Sequence, residues 1–399
     1  MLEKVKQLVE VIYPELIAIR RDLHQYPELG LEEFRTSSQI AAYLEKWNIP
    51  IVQRVRETSL VGLIQGSTRG KTIGLRADID ALPIKEANVT DYTSRYPGVM
   101  HACGHDAHTT ILLGAAYVLN ELRPELSGNI KLFFQQAEES VGGAEAMVAA
   151  GCLKNPDVDH VLGLHVCPNL HVGDVGFNYG QSYASSDTVI IDLFGKQAHG
   201  AYPQGGIDSI VMAGQVLTAL QPLISRNISP FDPAVLSFGM IEGGTAPNII
   251  PHHVHLVGTL RTLDKKTRDF LKKRITEVVE NTARAFGGEG RVFFEPGYLA
   301  LKNNDALVDR VKEVALGILG PDRVVVNKYP SLGVEDFAYF ADALPSCFYR
   351  IGVANEKLGF TSTLHENTFD LDEEALKVGV TIQVMATLAL LGENEEGSL

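Results

Sequence analysis

Short β-rich runs that alternate with helical stretches restrict the fold of this chain more than any other feature. Runs rich in β-formers fall at 59–65, 72–77, 129–135, 160–165 and 346–353. Helical spacing of apolar residues marks 8–24, 36–47, 107–122 and 143–150. Strands separated by helices imply an α/β fold, a mostly parallel sheet with helices on both faces. Between 182 and 296 the order changes to strand (188–194), helix (207–223), strands (234–241 and 252–261), helix (265–286) and strand (290–295). That β-α-β-β-α-β order predicts a ferredoxin-like α+β unit. The α/β pattern resumes afterwards, so the expected organisation is a catalytic domain in two parts, 1–181 and 297–399, with an inserted lid or dimerisation domain at 182–296. Glycines at 176–180 and Gly297 suit hinges at the joints.

A chain of 399 residues exceeds one ordinary core, which agrees with two domains. Its net charge of −14, with no dense basic cluster, argues against nucleic acid as a partner. Met1 to Lys6 carries charge where a signal peptide needs an apolar run, and no 18 uninterrupted apolar residues occur. A cytoplasmic location with no membrane partner is expected. The four cysteines contain no Cys-x-x-Cys pair; three read as core thiols, and disulfides are not expected. The acidic tail 392–399 is expected to fray.

In an open α/β sheet, chemistry collects beyond the carboxyl ends of the strands. The residues there are unusually polar: Asp78 and Asp80 after 72–77, Glu138-Glu139 after 130–135, and His165 closing 161–164. Cys103, His105 and His108 stand at the start of the helix near 107, and His365 lies in a late loop. Taken singly, Cys103 or His165 would be a structural residue, and Glu138-Glu139 a solvated helix start. Their convergence changes that reading, because thiolate, imidazole and carboxylate together select a borderline divalent ion such as zinc. A bridging thiolate and a water ionised between two ions would complete a hydrolytic centre. Adjacent carboxylates diverge and repel, so Glu139 is assigned as a ligand and Glu138 as general base. Asp78 is placed as the group orienting a metal-binding imidazole. His24, His101, His160 and His171 are left as ordinary residues. In the inserted unit, His199 occupies a polar loop past a strand, Gly243 to Asn248 forms a loop open to close backbone approach, and Arg261 ends a strand where its fork could grip a carboxylate.

Several stretches resemble, in the right order, the metal-dependent N-acyl amino acid amidohydrolases and carboxypeptidases, the family of aminoacylase and glutamate carboxypeptidase. They are 21–28 (RDLHQYPE), 75–83 (LRADIDALP), 101–108 (HACGHDAH), 135–139 (QQAEE) and the loops around His199 and Asn248. The hippuricase-like branch, which includes the auxin-conjugate hydrolases, matches best. The resemblance implies ligands at Cys103, His105, Glu139, His165 and His365, two divalent ions per subunit (zinc first, with manganese, cobalt or nickel as substitutes), Glu138 as base and Asp78 behind the ligands. One ion would be held by His105 and His165, the other by Glu139 and His365, with Cys103 shared. It also implies a homodimer through the inserted domain, with His199 stabilising the oxyanion in the partner's site and Asn248 and Arg261 holding the substrate's carbonyl and carboxylate. Where many members carry His-x-Asp, this chain has Arg76-Ala77-Asp78, so His105 is expected to replace that histidine.

The expected activity is hydrolysis of an N-acyl amino acid to a carboxylic acid and a free amino acid, by a metal-bound hydroxide with Glu138 moving the proton. A metallo-carboxypeptidase or dipeptidase acting on short peptides is the alternative. Three others stand further off: Cys103 as a covalent nucleophile, a zinc deaminase, whose Pro-Cys-x-x-Cys element is absent, and a non-catalytic scaffold, which the complete set of site residues disfavours.

Overall fold

The computed structural model of the protein describes residues 1–392; apart from Gly392, the tail expected to fray lies outside them. The chain divides into two compact units. One comprises Met1–Gly180, Lys302–Tyr329 and the chain from Asp336 onward; the other comprises Gln181–Leu301 and Pro330–Glu335. The first joint falls beside Gly180 and the second at Leu301, a few residues beyond Gly297. The short return of 330–335 to the inserted unit has no compositional signal.

The first unit is built on an eight-stranded sheet. Its centre is four parallel strands, in the order Ser127–Gln135, Thr68–Asp78, His160–His171, Ser346–Ala354. Ser59–Gln65 and then Ile51–Val55 extend one side antiparallel. Val175–Phe177 extends the other antiparallel, and Val324–Val326 pairs with it in parallel. Residues 72–78, 130–135 and 161–166 and nearly all of Ser346–Ala354 are buried, as strand segments covered on both faces must be.

Alternation along Thr68–Asp78 shows how the two faces differ. Ile73, Leu75 and Ala77 enter the main apolar core, which also takes side chains from the helices Leu2–Gln25, His105–Glu121 and Glu374–Leu391. Arg76 points the other way, to Asp336 and Gln135. On that face Gly163 lies where a Cβ would stand 2.7 Å from both Phe337 and Phe348, so the aromatic rings pack directly on strand backbone. Glu374–Leu391 is long and apolar enough by composition to cross a membrane, but 67% of it is buried inside this unit, as a core helix is.

The second unit is a four-stranded antiparallel sheet in the order Ala234–Gly243, His253–Thr262, Ser185–Phe194, Glu289–Pro296. The helices Ser209–Arg226 and Lys265–Ala285 follow its first and third strands in the chain. This is the ferredoxin-like order that the sequence pattern predicts. Val189, Ile191, Leu193, Val254 and Leu256 form its core with helix residues such as Met212, Leu220, Leu271 and Ile275. Asp208 and Asp264 cap the two helices, each carboxylate accepting from two backbone N–H groups. Each cap is worth about 1 kcal/mol of helix stability.

Candidate metal centre

Parallel register carries Asp78, the turn after Gln135, and His165 to one edge of the sheet. Asp78 stands opposite Gln135, and Arg76 opposite Gly163. The helix His105–Glu121 starts at the same edge. Its start needs Gly104: φ is +80° there, and a Cβ would lie 2.5 Å from Val166. Two residues bearing side chains also adopt positive φ beside the centre, Ala137 at +55° and His365 at +66°. Backbone strain of this kind costs on the order of 1–3 kcal/mol and is held here by the surrounding contacts. Ala137 N donates to the buried Glu33 carboxylate at 2.8 Å, and His365 N to Ala102 O at 2.8 Å.

Cys103 Sγ lies 3.4 Å from His165 Nε2 and 3.3 Å from His365 Nε2. Two sets of three donors each close on a common point: Cys103, His105 and His165, and Cys103, Glu139 and His365. They share the Cys103 sulfur. His105 Nε2 and Glu139 Oε1 are buried without a directed hydrogen bond, although His365 Nε2 is 3.1 Å from that Glu139 oxygen. Close, badly directed donor atoms of this kind are what an ion placed among them would satisfy, and the soft-to-borderline donor set fits zinc-like divalent cations.

Hydrogen bonds also fix which nitrogen each imidazole presents. His165 Nδ1 donates to Val166 O at 2.7 Å, leaving Nε2 toward the thiol. His105 Nδ1 meets Asp80 Oδ1 at 3.1 Å, leaving Nε2 free. The other oxygen of Asp80 accepts from Glu139 N at 2.9 Å. Asp80 therefore positions one donor of each set. Asp78, the expected orienter of a ligand, bonds elsewhere: its Oδ1 is 2.6 Å from His108 Nδ1 and 3.8 Å from His105 Nδ1, too far for a hydrogen bond. His108 has both nitrogens engaged, since Nε2 accepts from Val166 N at 2.9 Å, so it is a strut and not a ligand. The expectation for Asp78 is corrected on this geometry: it braces the strut, while Asp80 braces His105. Arg76 lies buried between Asp78 at 2.6 Å and Asp336 at 2.8 Å.

The electrostatics follow from burial and this carboxylate cluster. Burial opposes a charged His105, but Asp78, Asp80 and Glu139 overcome it and push the imidazole up to about 10. The contact with Glu139 raises His365. Glu139 is lowered against its burial by His365 and His105. Burial, reinforced by His108, holds His165 well below the usual range. Burial with Glu139 and Glu138 raises the Cys103 thiol well above its ordinary value. That is the opposite of an activated nucleophilic cysteine, which sits among positive charges.

Glu138 is almost fully buried, and its Oε1 accepts from Asp336 N at 3.4 Å. Asp336 accepts from Arg76, Gln135 and Ala144 N, and burial pushes its carboxyl up to about 6. Behind the helix start, Arg20 bonds Asp106 at 2.9 Å and Asp370 at 2.7 Å. His24 bridges Asp106 at 2.7 Å and Glu86 at 3.1 Å. His24, set aside on the sequence, thus belongs to a buried ionic frame. The available signal was Asp106 within the segment 101–108, with Arg20 and His24 one helical turn apart. His101 is also buried and is held neutral by burial, at about 3.

In the second unit, His199 and Asn248 are neighbours in two short paired strands and their adjoining loop. Ile249 stands opposite His199, and Gly200 N donates to Asn248 O at 2.7 Å. Both side chains are exposed. His199 Nδ1 accepts from Ala201 N at 3.0 Å, so the proton of the neutral ring resides on Nε2. Arg261 Nε donates to Thr259 Oγ1 at 3.1 Å, and burial lowers the guanidinium.

Residues 74–389 match the family described as Peptidase family M20/M25/M40. The N-acetyl-L-cysteine deacetylase of Bacillus subtilis (strain 168) is 39% identical over 385 residues, covering 96% of this chain and 90% of that protein. Thermostable carboxypeptidase 1 of Saccharolobus solfataricus is 37% identical over 383 residues, covering 95% and 96%. Among solved structures, the YXEP protein of Bacillus subtilis, described as a dinuclear metal binding peptidase from the M20 family, superposes with a TM-score of 0.84 at 33% identity, covering 96% and 99%. With a donor set suited to divalent metal ions and a match spanning most of its length, this chain is a hydrolytic enzyme and a member of peptidase family M20/M25/M40.

Proposed function

We propose that the enzyme hydrolyses the amide bond of N-acyl amino acids, hippurate-like or N-acetylated, to a carboxylic acid and a free amino acid. The observation that carries this reading is the pair of three-donor sets sharing Cys103, with Glu138 beside them. Cys103, His105 and His165 would hold one ion, and Cys103, Glu139 and His365 the other, zinc being the best fit and manganese, cobalt or nickel substitutes. Divalent ions bound there supply Lewis-acid polarisation of the carbonyl and acidify water. Glu138 removes the proton from the attacking water and delivers it to the nitrogen of the departing amino acid. Asp80 keeps His105 Nε2 and the Glu139 backbone in place while this happens. The chain acts as a homodimer through its inserted unit, and His199 offers its Nε2–H to the oxyanion in the partner's site. Asn248 holds the substrate carbonyl and Arg261 its carboxylate. Four free thiols suit a reducing, cytoplasmic setting.

A second reading, cleavage of short peptides from the carboxyl end, draws on the similarity to a carboxypeptidase. It requires the same centre and differs in the acyl side of the substrate. The deciding experiment returns zinc, manganese, cobalt or nickel separately to the metal-stripped enzyme and measures release of amino acid from a panel of N-acyl amino acids and dipeptides. Turnover of the acyl amino acids with metal supports the first reading. Release from dipeptides alone supports the second, and no release from either group overturns both.

A further inference from the structure

The open face of the inserted unit's sheet carries a polar cluster with no part in the hydrolytic reading. His253 and His255 are two residues apart on one strand, so both rings project from the same face. Asp192, on the neighbouring strand, stands directly opposite His255. His253 Nε2 lies 2.7 Å, and His255 Nδ1 2.8 Å, from the same oxygen, Asp192 Oδ1. We infer that Asp192, His253 and His255 form a further binding site for a divalent cation of borderline softness, such as zinc, on the inserted unit.

Three arguments support the assignment. The two nitrogens and a carboxylate oxygen converge to within 4.8 Å of one another, and imidazole with carboxylate is the donor set of open, three-ligand zinc sites. Ligand bonds of about 2.1 Å in tetrahedral array separate donors by roughly 3.4 Å, so the observed spacings need open by only about 0.6–0.7 Å. The site is also held from below and open above. The ring of His253 stacks on Phe194 with centroids 5.0 Å apart, while the side chains of His253, His255 and Asp192 remain 35%, 33% and 20% exposed, which leaves room for water ligands. Glu242 stands opposite His255 on the edge strand and brings a second carboxylate to the same face.

The opposing charge nearby is Arg291, which pairs in register with Asp192. Its Nε donates to Glu289 at 2.7 Å and its guanidinium lies over Phe194, so it does not neutralise Asp192 by direct contact.

The test is zinc uptake by the full-length protein, using equilibrium dialysis and elemental analysis. Wild type is expected to take up one zinc ion per chain more than H253Q/H255Q. The same extra ion should persist in C103A/H105A, which keeps this site separate from the centre proposed for hydrolysis. D192N should weaken the extra ion tenfold or more. With copper(II) as the probe, the electron paramagnetic resonance spectrum of C103A/H105A should show coupling to two nitrogens that disappears when H253Q/H255Q is added. Equal zinc uptake by wild type and H253Q/H255Q would overturn the assignment.

Discussion

Asp80 lies 3.1 Å from His105 Nδ1 through one carboxylate oxygen, while its other oxygen holds the backbone of Glu139. One buried side chain thus aligns donors belonging to two different sets. Replacing Asp80 by Ala should lower metal affinity by about 10–100-fold, measured by competition with a chromogenic chelator. An affinity equal to wild type would remove Asp80 from the positioning of the ligands.

With Glu138 proposed as the base, Glu138→Gln separates proton transfer from metal binding, because the amide retains the shape of the side chain but cannot accept a proton. The expected result is a fall in kcat of about 10²–10⁴-fold with unchanged metal content. Turnover near wild type would require a different base.

Metal uptake should depend on pH in a definite direction. In the metal-free protein, His105 is pushed up to about 10 and carries its proton at neutral pH, and contact with Glu139 shifts His365 toward holding its own. Ligation displaces those protons, so affinity should rise with pH and zinc addition in dilute buffer should release acid. Uptake without proton release would contradict the charge state assigned to His105. The metal-free fold has its own dependence: a folded-state value raised above about 6.5 stabilises fully below that pH and is lost as pH climbs toward 10. Denaturant midpoints of the stripped protein should therefore decline across that window.

Arg20 is fully buried against Asp106 and Asp370. Arg20→Leu removes the cation shared by two buried carboxylates, and loss of one partner from a buried ionic network costs about 3–5 kcal/mol. Chemical denaturation should show that loss; a change below about 1 kcal/mol would mean that the network relaxes around the gap.

The proposed role of His199 in the partner's site predicts complementation. H199A and E138Q should each be nearly inactive alone. Subunit exchange between them places both lesions in one site of a mixed dimer and leaves the other intact, so about a quarter of all sites should recover by random pairing. No recovery after verified exchange would place His199 in its own subunit's chemistry or outside it.

The sequence by itself determined the layer order, because periodicity is local: alternating strands and helices, then the β-α-β-β-α-β block, are written within short windows. It also made candidate donors of Cys103, His105, Glu139 and His165, which stand at strand ends or a helix start, and of His365 in a late loop. What it could not determine was which carboxylate serves which imidazole. Asp78 and Asp80 are separated by one residue, and only the tertiary packing turns the first to His108 and the second to His105. The same holds for Asp336, which joins Arg76 across 260 positions, and for His24, which reads as an ordinary helix residue until Asp106 and Glu86 close around it. Residue type and spacing restrict what a side chain can do. Hydrogen-bond choice among competing carboxylates is settled by angstrom-scale distances between segments remote in sequence, and those exist only in the folded chain.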